Sequence, residues 1–198
     1  MQELIRVFTE GSPAELGVQV IGLLALAASV VSFQMKTYKG IMVLQIICAA
    51  LFSIHMGLLF ALGHRDAISG CASNLLCLVR DVVFWFLAKR PQKRPWIKTV
   101  VFCVLMAGVG AATWQSRVSL LCIIGMLLNT VSFSMTDPQK VRRVILFSSP
   151  FILVYDLLSA SVGGAVNELI SFASAVIGVL RFRKLRLGAE KGKDGYDR

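Results

Sequence analysis

The chain alternates long apolar runs with short polar breaks. Seven runs approach the roughly 20 residues, range about 17 to 25, that a helix needs to cross a bilayer: Leu16 to Met35, Gly40 to Leu62, Ala67 to Ala88, Thr99 to Trp114, Val118 to Met135, Val144 to Ala160 and Gly163 to Leu180. They lack the polar stripe that a surface helix of a soluble domain carries, and a helix in lipid satisfies its own backbone groups. The pattern predicts an all-α membrane protein with seven transmembrane helices. The fourth run is the shortest, and Trp96 and Trp114 flank it where aromatic residues gather at the two membrane interfaces.

A second pattern lies over the first. Val31-Ser32-Phe33-Gln34-Met35 returns one hundred residues later as Val131-Ser132-Phe133-Ser134-Met135. Gly63 and Gly163, and His55 and Tyr155, keep the same offset, and one residue of slippage aligns Ala72-Ser73 with Ala173-Ser174 and Arg80 with Arg181. Such an internal repeat predicts two three-helix units, residues 16–88 and 118–181. A cytoplasmic basic linker at 89–98 and a linker helix at 99–114 join them, a 3+1+3 arrangement. One crossing between two three-helix units gives both the same orientation, so the repeats are parallel. Residues 1–15 form an extracytoplasmic N-terminal segment and 182–198 a basic cytoplasmic tail, expected to be disordered after Leu187 from its charge and glycine. The first fifteen residues do not read as a signal peptide. Ser12-Pro13-Ala14-Glu15 reads instead as a helix start, with Ser12 as cap, Pro13 in the first turn and Glu15 completing a capping box.

Composition agrees with the pattern. Of 198 residues, 56% are hydrophobic and 16% charged, with a mean hydropathy of +0.72, against roughly 45–50% apolar in ordinary soluble domains. Charge adds direction, because Lys and Arg collect in cytoplasmic loops. With the N-terminus outside and seven spans, the cytoplasmic side receives Lys36, Lys39, the Lys89 to Lys98 cluster, Lys140, Arg142, Arg143 and the basic tail. Only Arg6, Arg65 and Arg117 remain outside, and Arg80 lies within a span. Removing the fourth span would reverse the third loop and the tail, so the charge bias supports keeping it. A net charge of +10 spread over these loops is an orientation signal and an anchor for anionic lipid head groups. No basic helix face or aromatic platform accompanies it, so nucleic acid is not an expected partner. A homo-oligomer is an open possibility.

Polar residues inside apolar runs are costly and mark functional positions. Asn74 lies about eight residues into the third run, or roughly 12 Å at 1.5 Å per residue, close to the middle of a 30 Å hydrocarbon core. Asn129 is at similar depth in the fifth run. Ser29, Ser32, Ser132, His55 and Tyr155 are the further candidates for contacting a solute. Arg80, Asp81, Asp156, Gln34 and Gln45 are candidates for coupling or structural polar roles. Arg80 is near enough to the cytoplasmic end to snorkel. As adjacent helical residues about 100° apart, Arg80 and Asp81 are expected to be poor partners for each other. Asp156 and Glu168 are expected at the wetted outer interface. Pro150 falls inside the sixth run, where it should kink the helix.

The five cysteines, Cys48, Cys71, Cys77, Cys103 and Cys122, all fall in apolar runs without metal-ligand spacing and read as packing residues. No nucleophile–base pair or Gly-rich phosphate loop is present, and His55 is alone in its run. An enzyme is therefore not expected, and no metal or cofactor is implied.

Three helices, a linker helix and three more resembles the architecture of the SWEET sugar transporters and the wider PQ-loop group. In that group a Pro-Gln pair closes the first span of each unit. Here Gln34 follows Ser32-Phe33 without the proline, and the second copy has Ser134 in place of the glutamine. The chain also resembles the YgjV family of bacterial inner-membrane proteins through Ser32-Phe33-Gln34, Lys36, Lys39, Gln45, His55, Leu58-Leu59, Asn74 and Arg80, over most of residues 16 to 181. These resemblances imply a multi-pass protein of the bacterial inner membrane. Two readings follow: a SWEET-like transporter of a small solute with a midplane cavity between the repeats, or a non-transporting interaction or assembly protein whose polar residues bond helix to helix.

Overall fold

The computed structural model describes residues 13–63, 67–88, 90, 94, 96–114, 117–158 and 162–194. They form seven α-helices with no strand among them: α1 (Pro13–Ser32), α2 (Tyr38–Ala61), α3 (Ala67–Leu87), α4 (Trp96–Ala112), α5 (Ser119–Ser134), α6 (Pro138–Leu158) and α7 (Val162–Asp194). Residues 1–12, half of the 89–98 linker and residues 195–198 lie outside the described residues, and with them the expected serine cap of α1.

Segments within α1, α2, α3 and α7 are long and apolar enough to cross a membrane, namely Glu15–Ser32, Tyr38–Ala61, Gly70–Leu87 and Gly164–Arg183. α4 and α5 are apolar but shorter, at 17 and 16 residues. α6 carries Lys140, Arg142 and Arg143 in its first two turns.

The helix boundaries depart from the hydropathy runs where local chemistry intervenes. α1 stops at Ser32, so Phe33, Gln34 and Met35 form a turn rather than the end of a helix. Thr37 then caps α2, its side chain accepting from the Gly40 N–H at 3.1 Å. α2 ends at Ala61, and Gly63 just beyond its cap has a φ of 99°, open to glycine and strained for other residues. α6 begins at Pro138, six residues before its apolar run, because Asp137 accepts from the Gln139 N–H at 2.8 Å and proline suits a first helical position. α6 continues through Pro150. α7 carries on through the tail as far as Asp194, contrary to the disorder expected after Leu187.

Packing follows chain order within each half. α2 lies against α1 and α3, and α6 lies against α5 and α7. Between halves, α1 meets α7 and α3 meets α5, while α4 packs on α5 and, less extensively, on α3. The burial pattern is the reverse of a soluble protein's. Large apolar side chains such as Leu24, Val104 and Phe147 point outward, the last 73% exposed, while buried positions include many serines, Gln45, Arg80, Asp81 and Arg142. An apolar exterior around a polar interior is what lipid as solvent selects.

The main apolar core sits at the end of the bundle where the two motif copies lie. It contains Phe33 and Phe133 from those copies, with Tyr38, Ile41, Met42, Phe84, Phe102, Val141, Ile145 and Ala175.

Candidate functional site

The two motif copies are held by bonds that cross between the halves. The Tyr38 hydroxyl, at the start of α2, donates to the Phe133 carbonyl at 2.8 Å. In reciprocal fashion Arg142, near the start of α6, donates from Nε to the Phe33 carbonyl at 2.7 Å and from Nη2 to the Met35 carbonyl. Its guanidinium also lies 4.5 Å from the Phe182 ring centroid. Hydropathy placed Arg142 in a cytoplasmic loop; it is 1% exposed because these carbonyls, left unpaired where α1 ends, need a donor. Gln34 Nε2 donates to both the carbonyl and the hydroxyl of Ser174, at 2.8 and 2.9 Å, and the Ser174 hydroxyl donates to Val30 at 2.7 Å. Gly178, one helical turn further along α7, lies directly against the Phe33 carbonyl: a Cβ there would fall 2.5 Å from that oxygen and 2.9 Å from Arg142 Nε. Small residues at 171, 174, 175 and 178 thus let the backbones of α1 and α7 approach closely.

Behind this apolar and hydrogen-bonded end lies a polar cavity of about 190 Å³. Ser29 of α1, Gln45 of α2, Asn74, Arg80 and Asp81 of α3, Asn129 of α5, and Asn167, Glu168 and Ser171 of α7 line it, with Phe33, Phe133 and Ile145 on its apolar side. Both halves contribute; α4 does not. Ser29 and Ser171 face each other with their oxygens 3.4 Å apart. The Asn74 amide donates to its own helix, at the Gly70 carbonyl 2.8 Å away. Asn129 Oδ1 accepts from the Ser148 hydroxyl. Asn167 Oδ1 is buried with no hydrogen-bond partner among the described residues.

Arg80 and Asp81 overturn two expectations. They form an ion pair, Nε to Oδ1 at 2.8 Å, with side chains 4% and 1% exposed. Arg80 Nη1 also donates to Thr130 at 3.2 Å, and the guanidinium sits 5.1 Å from the Phe133 ring centroid. The arginine stem is long enough to fold back across the 100° between neighbours. Enclosure by α5 removes the water into which it would otherwise snorkel, and a buried charge needs a partner.

The remaining sequence candidates lie off the cavity lining. Ser32 donates to the Ser29 carbonyl at 2.6 Å and accepts from Gln45 Nε2 at 2.8 Å, fixing the glutamine that does line it. Ser132 donates to the Val141 carbonyl at 2.9 Å, joining α5 to α6. His55 Nδ1 lies 2.8 Å from the Val18 carbonyl, a bond that requires its proton on Nδ1, and its ring fills the space above Gly22. It therefore ties α2 to α1. Tyr155 is partly exposed, and Gln34 belongs to the motif end. Asp156 is 9% exposed rather than wetted.

Asn167, Glu168 and Ser171 are lining residues that hydropathy did not single out. The signal was present: three polar residues at positions 167, 168 and 171 early in an apolar run, on the face that also carries Ser174. Among the described residues no group of three His, Cys, Asp or Glu side chains converges as a metal site, and the five cysteines are free thiols. Cys48 and Cys77 border the cavity.

Apolar helices of spanning length around a polar interior define an all-α membrane protein. A match to the Imp-YgjV family, described as a bacterial inner membrane protein, covers residues 16–186. The chain belongs to that family of the bacterial inner membrane. Neither the curated proteins nor the solved structures compared with it match the chain.

Proposed function

We propose that this protein is a carrier for a small polar solute, built as two parallel three-helix units joined by α4, with the N-terminus outside and the C-terminus in the cytoplasm. The observation that carries the reading is the 190 Å³ polar cavity lined from both halves of the chain. At about 30 Å³ per water, it has room for roughly six waters, or one solute of comparable bulk. Pocket-forming residues contributed by both units are what a repeat transporter needs, since motion of one unit against the other then alters access. The exchange of partners between halves, α1 with α7 and α5 with α3, supports the paired-unit description.

On this reading the cavity is closed at the motif end by Phe33 and Phe133, and by the bonds from Tyr38 and Arg142 to the motif carbonyls. Passage through that end requires those bonds to break. Asn74 and Asn129 face the solute from opposite units.

Uptake or efflux in proteoliposomes tests the proposal. Asn74→Ala and Asn129→Ala should each reduce transport of an identified solute, and normal transport by both would refute the site. A non-transporting assembly role draws on the bonds by which Asn74 and Asn129 serve their own halves. Water-soluble thiol reagents on single cysteines at 74 and 129, in a background without the native five, separate the two: labelling of both supports the cavity and protection of both supports packing.

A further inference from the structure

Glu168 is the cavity carboxyl that no basic side chain among the described residues pairs with. Arg80 and Asp81 neutralise each other, and the guanidinium is also engaged by Thr130 and the face of Phe133. An incoming anion would thus find the cavity's arginine already occupied. Glu168 lines the same space from α7 and belongs to no ion pair among the described residues.

The neutral groups lean the same way. Asn167, next to Glu168, offers a buried Oδ1 without a hydrogen-bond partner. Asn74 uses its amide nitrogen on Gly70, leaving its oxygen as an acceptor. Asn129 has its oxygen taken by Ser148, leaving amide hydrogens for a hydroxyl or carbonyl. A ligand matching this wall carries several N–H donors and one positive charge at its Glu168 end and a small acceptor at its Asn129 end, because buried polar groups left unpaired are penalised.

We infer that the cavity binds a small amine-bearing monocation, held by the Glu168 carboxylate and the Asn167 and Asn74 carbonyl oxygens. The inference rests on the carrier reading and adds the chemical class of its solute.

Three probes of one size and different charge test it: ethanolammonium chloride, ethylene glycol and sodium glycolate, at matched ionic strength, on the purified full-length protein. Binding to the native state raises its melting temperature by mass action. Ethanolammonium should raise it saturably while glycol and glycolate do not, and Glu168→Gln should abolish the response. If that variant does not fold, Glu168→Asp serves, with the half-maximal ethanolammonium concentration raised about tenfold or more. A response to glycolate or glycol equal to that for ethanolammonium, or an undiminished response in the Glu168 variants, overturns the solute class and leaves the carrier reading standing. No response to any probe also overturns the class; the carrier reading falls with it only if the cysteines at 74 and 129 are both protected.

Discussion

Replacing Gly178 by alanine adds one methyl group at the tightest contact between the halves. The new Cβ would lie 2.5 Å from the Phe33 carbonyl oxygen and 2.9 and 3.0 Å from Nε and Cδ of Arg142. The carbonyl is backbone at the end of α1 and cannot swing aside as a flexible side chain would, so the strain falls on the α1–α7 approach and on the guanidinium. Overpacking of this kind costs about 1–3 kcal/mol, and losing a hydrogen bond to a charged group about 1.5–3 kcal/mol more. Better helix propensity returns about 1 kcal/mol of that, for a net loss of about 1.5–5 kcal/mol. Gly108→Ala in α4 is the matched control, since nothing lies within 4 Å of its added Cβ; it should be neutral or slightly stabilising. Reversible unfolding in mixed micelles, followed by circular dichroism, measures both. If Gly178→Ala is no less stable than Gly108→Ala, the close approach at the motif end is not what holds the halves together.

Breaking the Arg80–Asp81 pair one side at a time should be severe. Arg80→Met or Asp81→Asn leaves a buried group without its partner and should cost about 3–5 kcal/mol, whereas Arg80→Met combined with Asp81→Leu should be milder than either; a double-mutant cycle in the same unfolding assay checks this, and simple additivity would show the pair to be uncoupled. Tyr38→Phe removes the donor to the Phe133 carbonyl while keeping the ring, and should cost about 1–3 kcal/mol through the unsatisfied oxygen. Faster hydrogen exchange confined to the ends of α2 and α5 is the accompanying sign, and unchanged exchange there would count against the bond.

Much of this molecule was readable along the chain because lipid imposes a one-dimensional rule. Runs of apolar residues marked all seven helices within a few residues, except at the start of α6, which Asp137 and Pro138 reset, and at the end of α7, which runs on past Leu180 to Asp194. Asn74, Asn129 and Ser29 stood out because amides and hydroxyls are costly in an apolar run, and the fold brings them to one cavity. Glu168 did not stand out. Its position early in α7 placed it near water by counting, and only the packing of α7 against α1 turns it toward Ser29 and Asn74.

The class of the protein, the positions of its helices and the recurrence of the Val-Ser-Phe motif follow from residue order, since hydropathy and duplication are properties of local sequence. Who bonds to whom does not follow from it. Arg142 looked like a loop cation and became the donor to Phe33 and Met35; Arg80 and Asp81 looked mismatched and became a pair; His55 looked like a site residue and became a strut for Val18. In each case a long or polar side chain found its partner among groups brought near by helix packing, and burial made that partner necessary.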